Sequence, residues 1–158
     1  MKKLVSLLLV VTIILSLGIT ALAAGSPVGP QPRVNTNTGL GLYDANDKKI
    51  GTVPAKDIVK LNVGGADQLD EADKEAFLAA YEEAKNTEGK IVRHFFWLDI
   101  PEEYKNMDGF GYAKYTFGSR GQNVTVTVNG KDMEVVKLGH GQYYAKLTEF
   151  GIVSIISD

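Results

Sequence analysis

The sequence predicts an α+β fold: an antiparallel β-sandwich-like domain with one amphipathic helix packed on a sheet. Three observations carry that prediction. The second half of the chain is a succession of short runs rich in β-branched and aromatic residues, separated by turns that contain glycine or asparagine. Residues 70–86 space their apolar side chains as a helix does. Between the two, residues 91–100 read IVRHFFWLDI, with large apolar side chains at odd and even positions alike, and a strand of that kind needs cover on both faces.

Residues 1–23 read as a signal peptide. Lys2 and Lys3 form a positive head, an apolar run follows, and Ala21-Leu22-Ala23 offers small side chains for cleavage before Ala24. The uninterrupted apolar stretch is shorter than the ~20 residues that cross a bilayer, so no membrane association is expected after cleavage. Residues 24–38 hold Pro27, Pro30 and Pro32 among Gly, Ser, Asn and Thr and read as an extended, solvated leader. Residues 39–158 make one domain, with a candidate subdomain boundary near 101. No cysteine follows the apolar run to carry a lipid, and the final residues hold no sorting motif. The expected location is therefore secreted, extracellular.

Composition narrows the chemistry. The 158 residues include 17 Lys and Arg and 19 Asp and Glu, a formal charge of −2, which provides no basic field for nucleic acid. The absence of cysteine excludes disulfides, zinc–thiolate sites, iron–sulfur clusters and cysteine nucleophiles.

The elements follow in order. Runs at 40–43 and 50–53 flank Asp44-Ala45-Asn46-Asp47-Lys48, a hairpin turn, and 58–63 is a third strand. Asp70 caps the helix, with Glu71 and Asp73 in its first turn, and Ala76, Phe77, Ala80, Tyr81 and Ala84 form its apolar stripe. In 91–100, Phe95 and Trp97 point one way and Phe96 and Leu98 the other, so the helix covers one side and a further β layer the other. Pro101 opens a single helical turn. Beyond it, 110–117 is aromatic-rich, 124–128 alternates Val with Thr, and Asn129-Gly130 is a two-residue hairpin turn leading into 131–138. Turns at Gly139-His140-Gly141 and 149–151 separate the last strands, 143–147 and 152–156, and together these predict a meander or sandwich half.

At this level FFWLDIPEEY and NVTVTVNGKDMEVVKLGHGQYYAKLTEFGIVSII are motifs in their own right. With the signal peptide and the acidic-capped helix, they make the chain resemble small secreted or cell-surface β-rich proteins of Gram-positive, gut-type bacteria. Several of those end in a similar VTVTVNGK…Y.A.L.EFG segment. The resemblance implies a bacterial extracellular protein and carries over no activity and no site residue.

No set of residues reads as catalytic, cofactor-binding or metal-binding. His94 lies in the apolar strand; Asp99 is ~16 Å along an extended chain from it and on the other face, so a satisfied core or edge histidine is expected. His140 is a turn residue. Asp44, Asn46 and Asp47 begin like a calcium loop, but Lys49 and Ala55 stand where glycine and glutamate are required. Glu102 and Glu103 are adjacent rather than flanking a bond. Aromatics remain: Tyr112, Tyr115, Tyr143 and Tyr144 are candidate ligand contacts, because exposed tyrosines stack on sugars or anchor interfaces. The alternative for each is ordinary strand packing. The function expected is a non-enzymatic extracellular module with an extracellular protein or glycan as partner. The alternative is a small extracellular hydrolase or an accessory carbohydrate- or protein-binding factor.

Overall fold

Two adjoining runs, β1 (Leu40–Tyr43) and β2 (Lys49–Val53), fold back on each other through the Asp44 turn. There the Asp44 carboxylate accepts hydrogen bonds from the backbone N–H of Asn46 at 2.8 Å and of Lys48 at 2.9 Å. The computed structural model describes residues 39–158; the signal peptide and leader expected at 1–23 and 24–38 lie outside the described residues. A 3-10 turn (Ala55–Asp57) leads into β3 (Val59–Leu61), and a second (Val63–Gln68) leads to the main helix.

That helix, α1 (Glu71–Lys85), starts where Asp70 accepts a hydrogen bond from the N–H of Asp73 at 2.8 Å, as the cap residues predict. Its buried face differs in one member from the stripe expected. Phe77 is fully buried with Leu78, Ala80, Tyr81 and Ala84 around it, whereas Ala76 is exposed. Ala76 and Leu78 flank Phe77 about 100° to either side; the flank with the longer side chain is the one that meets the sheet.

The strands β4 (Ile91–Asp99), β5 (Tyr112–Gly118), β6 (Thr125–Val128), β7 (Lys131–Asp132), β8 (Glu134–Gly139), β9 (Gln142–Leu147) and β10 (Gly151–Ser157) follow, with a one-turn helix, α2 (Glu102–Lys105), after β4. They form two antiparallel five-stranded sheets. The first has the order β2-β1-β5-β9-β8 and the second β3-β4-β10-β6-β7. Leu42, Tyr115, Phe117 and Leu147 from the first sheet join Phe96, Leu98, Val126, Val153 and Ile155 from the second in one core. On its other face the second sheet carries α1: the Phe77 ring lies 5.2 Å from Phe95 and meets Trp97 edge-on at 6.4 Å. The two-faced reading of 91–100 therefore holds, and β4 lies inside its sheet between β3 and β10.

The C-terminal half is not a meander. Only β6–β7 and β8–β9 are hairpins there; elsewhere the chain crosses between sheets. The strand expected at 131–138 divides at Met133, whose N–H donates to the Val126 carbonyl at 2.8 Å and whose side chain packs on the core. Lys131 and Asp132 stay in the second sheet and Glu134 begins pairing in the first. Both sheets draw strands from either side of residue 101, so the chain is not divided at that point.

Candidate ligand-binding face

Alternation along the first sheet sorts its side chains. In β5, Ala113, Tyr115 and Phe117 point into the core, and in β9 Tyr143, Ala145 and Leu147 do the same. Tyr112, Lys114 and Thr116 therefore share the outer face with Tyr144 and Lys146. Leu40 and Leu42 of β1 are core residues, which sends Gly41 and Tyr43 outward as well.

This sorting separates the four tyrosines singled out from the sequence. Tyr115 is 1% exposed and Tyr143 7% exposed; both rings stack on Phe117, with centroids 6.2 and 5.7 Å away. They are core side chains with no face to offer a ligand, which corrects the expectation for these two. Tyr112 points outward yet is 6% exposed, because Tyr43 stacks on it at 5.3 Å and 9° and Lys146 sits 5.0 Å from its ring centroid. Tyr144 is half-buried on the outer face, opposite Thr116 on one side and Val136 on the other.

Registers arrange the outer face in rows across the strands. Gly41, Lys114, Lys146 and Glu134 make one row, with Tyr43 and Tyr112 beside it. On the other side lies the row Thr116, Tyr144, Val136. Gly41 has a packing reason: a Cβ there would stand 3.0 Å from the Tyr43 ring, so glycine lets the tyrosine lie down along the sheet. The Lys114 ammonium lies between the tyrosine rows, 4.3 Å from the Tyr144 ring centroid and 5.8 Å from that of Tyr43. Both distances are within reach of a cation–π attraction. Among the described residues, Lys114 makes no ion pair or hydrogen bond.

Lys146 is different. Its ammonium is 3.0 Å from Asp47 and 3.2 Å from Glu134, and the Tyr112 hydroxyl donates to the same Asp47 oxygen at 2.8 Å. These groups line a shallow pocket of about 230 Å³ with Asp132 and Thr148. The hydrogen bond from Lys146 holds the Asp47 pKa below its ordinary value, and those to Asp47 and Glu134 raise that of Lys146. Burial, aided by Asp47, pushes Tyr112 up to about 12. The shifts of Asp47, Tyr112 and Lys146 all move away from neutrality, so these three groups set geometry and hold no proton ready to exchange near pH 7.

The two bases on the inner face of the second sheet are arranged otherwise. Lys60, on β3, donates to the Tyr115 hydroxyl at 3.1 Å and lies 4.4 Å from the Phe96 ring centroid; burial lowers its pKa to about 8. His94 Nε2 donates to the Gly118 carbonyl at 3.1 Å, as expected of a satisfied core or edge histidine. Its pKa lies below 6.5, chiefly through burial. His140 occupies an exposed turn at φ 50°. Among the described residues, no group of three or more His, Asp or Glu could hold a metal ion.

Sequence reasoning missed Tyr43, Lys114 and Lys146. The period-2 pattern of YAKYTF and QYYAKL already places Tyr112, Lys114, Tyr144 and Lys146 on one face once the inward residues are fixed by Ala113 and Ala145. What the strands cannot state alone is the pairing that brings β1, β5 and β9 side by side. No protein-family model, curated protein or solved structure matches the chain.

Proposed function

We propose that this is a secreted, non-enzymatic binding module of a bacterial cell surface that recognises an extracellular ligand through the outer face of its first sheet. The observation that carries the reading is the array of Tyr43, Lys114 and Tyr144, with Tyr112 backing Tyr43, on a sheet face that no other described element covers, while α1 lies on the opposite sheet. Flat aromatic rings set on a rigid sheet are pre-organised for stacking against sugar rings or for anchoring a protein, at small cost in side-chain entropy. Export rests on the sequence of residues 1–23.

The test is a glycan array, together with capture of partners from culture medium, run on the natural protein and on Tyr144→Ala. The ring is only half-buried, so the variant should keep its circular dichroism and melting temperature. Ligand binding should weaken by about tenfold or more, the scale of an interface hot spot. A ligand bound equally by both proteins would rule out this face. Separately, the exported protein should begin at Ala24 or Gly25 on N-terminal sequencing; recovery of Met1 in a membrane fraction would overturn secretion.

A further inference from the structure

We infer that the ligand of this face is an anionic polysaccharide, one bearing carboxylates or sulfates, and that Lys114 is the residue that selects it. The inference rests on the binding reading above and adds the charge of the ligand to it.

The argument compares two lysines in neighbouring positions of one row. Lys146 is already matched by Asp47 and Glu134, so its charge is spent within the protein. Lys114 stands next to it on the central strand of the sheet, opposite both Gly41 and Lys146. Its ammonium ends between the rings of Tyr144 and Tyr43. A ring face attracts the cation but offers it no lone pair in the plane of a normal hydrogen bond. Lysine has three N–H donors, and no described side chain or carbonyl accepts one of them here. They point to an acceptor supplied from outside.

Geometry restricts what that acceptor is attached to. Same-face residues along a strand repeat at roughly 6.7 Å, twice the strand rise. Tyr43 lies one strand over and one such step before Lys114, and Tyr144 one strand over and one step beyond it, so ring, cation and ring run diagonally across β1, β5 and β9. A chain of pyranose rings carrying an acidic group can lay successive rings on the tyrosines and its anion on the ammonium. A neutral glycan would leave that ammonium partly dehydrated and uncompensated, which costs binding energy. Discrimination by charge follows from the same contact that gives affinity.

The experiment uses two matched pairs of polymers: polygalacturonate with its methyl ester, and dextran sulfate with dextran. Retardation in affinity gels is compared for the natural protein, Lys114→Met, Lys114→Arg, Tyr144→Ala and, as a control, Lys137→Met on the exposed rim of β8. Methionine keeps the packing of the stem and removes the charge; arginine keeps the charge. The expected result is retention by at least one acidic member over its neutral partner, weakened about tenfold or more in Lys114→Met and preserved in Lys114→Arg and Lys137→Met. The carboxylate and sulfate arms identify which acid is read.

Equal retention by acidic and neutral members, or retention by none of the four, would overturn the anionic ligand. So would loss of binding in Lys137→Met to the same degree as in Lys114→Met, since that is diffuse attraction. Failure of the face itself has a separate signature: Tyr144→Ala would then match the natural protein on every polymer that binds.

Discussion

Asn129 illustrates how much one polar residue holds in place. It takes φ 50° ahead of Gly130 at φ 80°, the two left-handed positions of the β6–β7 turn. Its side chain reaches out of the turn, donating to Glu149 at 3.1 Å and to the Phe150 carbonyl at 2.9 Å, and accepting from the Ile152 N–H at 2.9 Å. Gly151 is glycine for the same reason: a Cβ there would stand 2.3 Å from the Asn129 amide oxygen. Asn129→Gly keeps the backbone conformation and removes the side-chain bonds, so it should cost about 1–3 kcal/mol. Asn129→Ala adds the left-handed penalty of a Cβ and should cost roughly 1 kcal/mol more. Urea denaturation measures both, and equal stability of the two variants would refute the backbone share of that division.

The elements were legible where local chemistry decides them. Asp70 capping, the 15-residue helix and the two-faced strand 91–99 all follow from side-chain periodicity, and the fold class follows from them. The crossings between sheets were not legible, because a turn such as 148–151 looks alike whether its strands pair with each other or separate. The candidate face was half legible: alternation marks outward residues, but Tyr43 lies 71 positions before Lys114 and only pairing of β1 with β5 joins them. Docking of α1 supplies the prediction at this scale. Phe77 is fully buried between helix and sheet, against Phe95 and Trp97. Phe77→Ala should therefore cost about 3–5 kcal/mol. Trp97 is the single tryptophan, so its fluorescence should also shift to the red as water enters. An unshifted spectrum with unchanged stability would mean that the helix does not rest there.

Across the whole molecule, pH couples to stability through the edge of the core. His94 is held below 6.5 by burial, with the positive charges of Lys60 and Arg93 adding to the effect and the Gly118 hydrogen bond opposing it. In the unfolded chain the same imidazole takes up its proton near 6.5. As pH falls through that value the unfolded state binds the proton first, so folding stability drops on the acid side until the folded pKa is passed. Asp47, Asp67, Glu149 and Asp158 have lowered pKa values, each chiefly through a hydrogen bond from a lysine, and their contributions are lost only below the ordinary carboxylate range. Between pH 7 and 5 the histidine effect should stand alone among these. His94→Gln retains a donor for Gly118 and should flatten the change in urea midpoint over that interval. Identical pH profiles for both proteins would remove His94 from the account.

The strand orders of the two sheets share a further property. The outer strands of the first sheet are β2 and β8, and those of the second are β3 and β7. On each flank the chain therefore steps straight from the rim of one sheet to the rim of the other, through Ala55–Asp57 on one side and Met133 on the other. The rim strands are short, and β8 is interrupted by an irregularity between Lys137 and Gly139. Inward-facing Lys60 guards the three-residue β3. A neighbouring copy seeking to extend either sheet meets a bent, charged or truncated border. The architecture thus resists fibre growth.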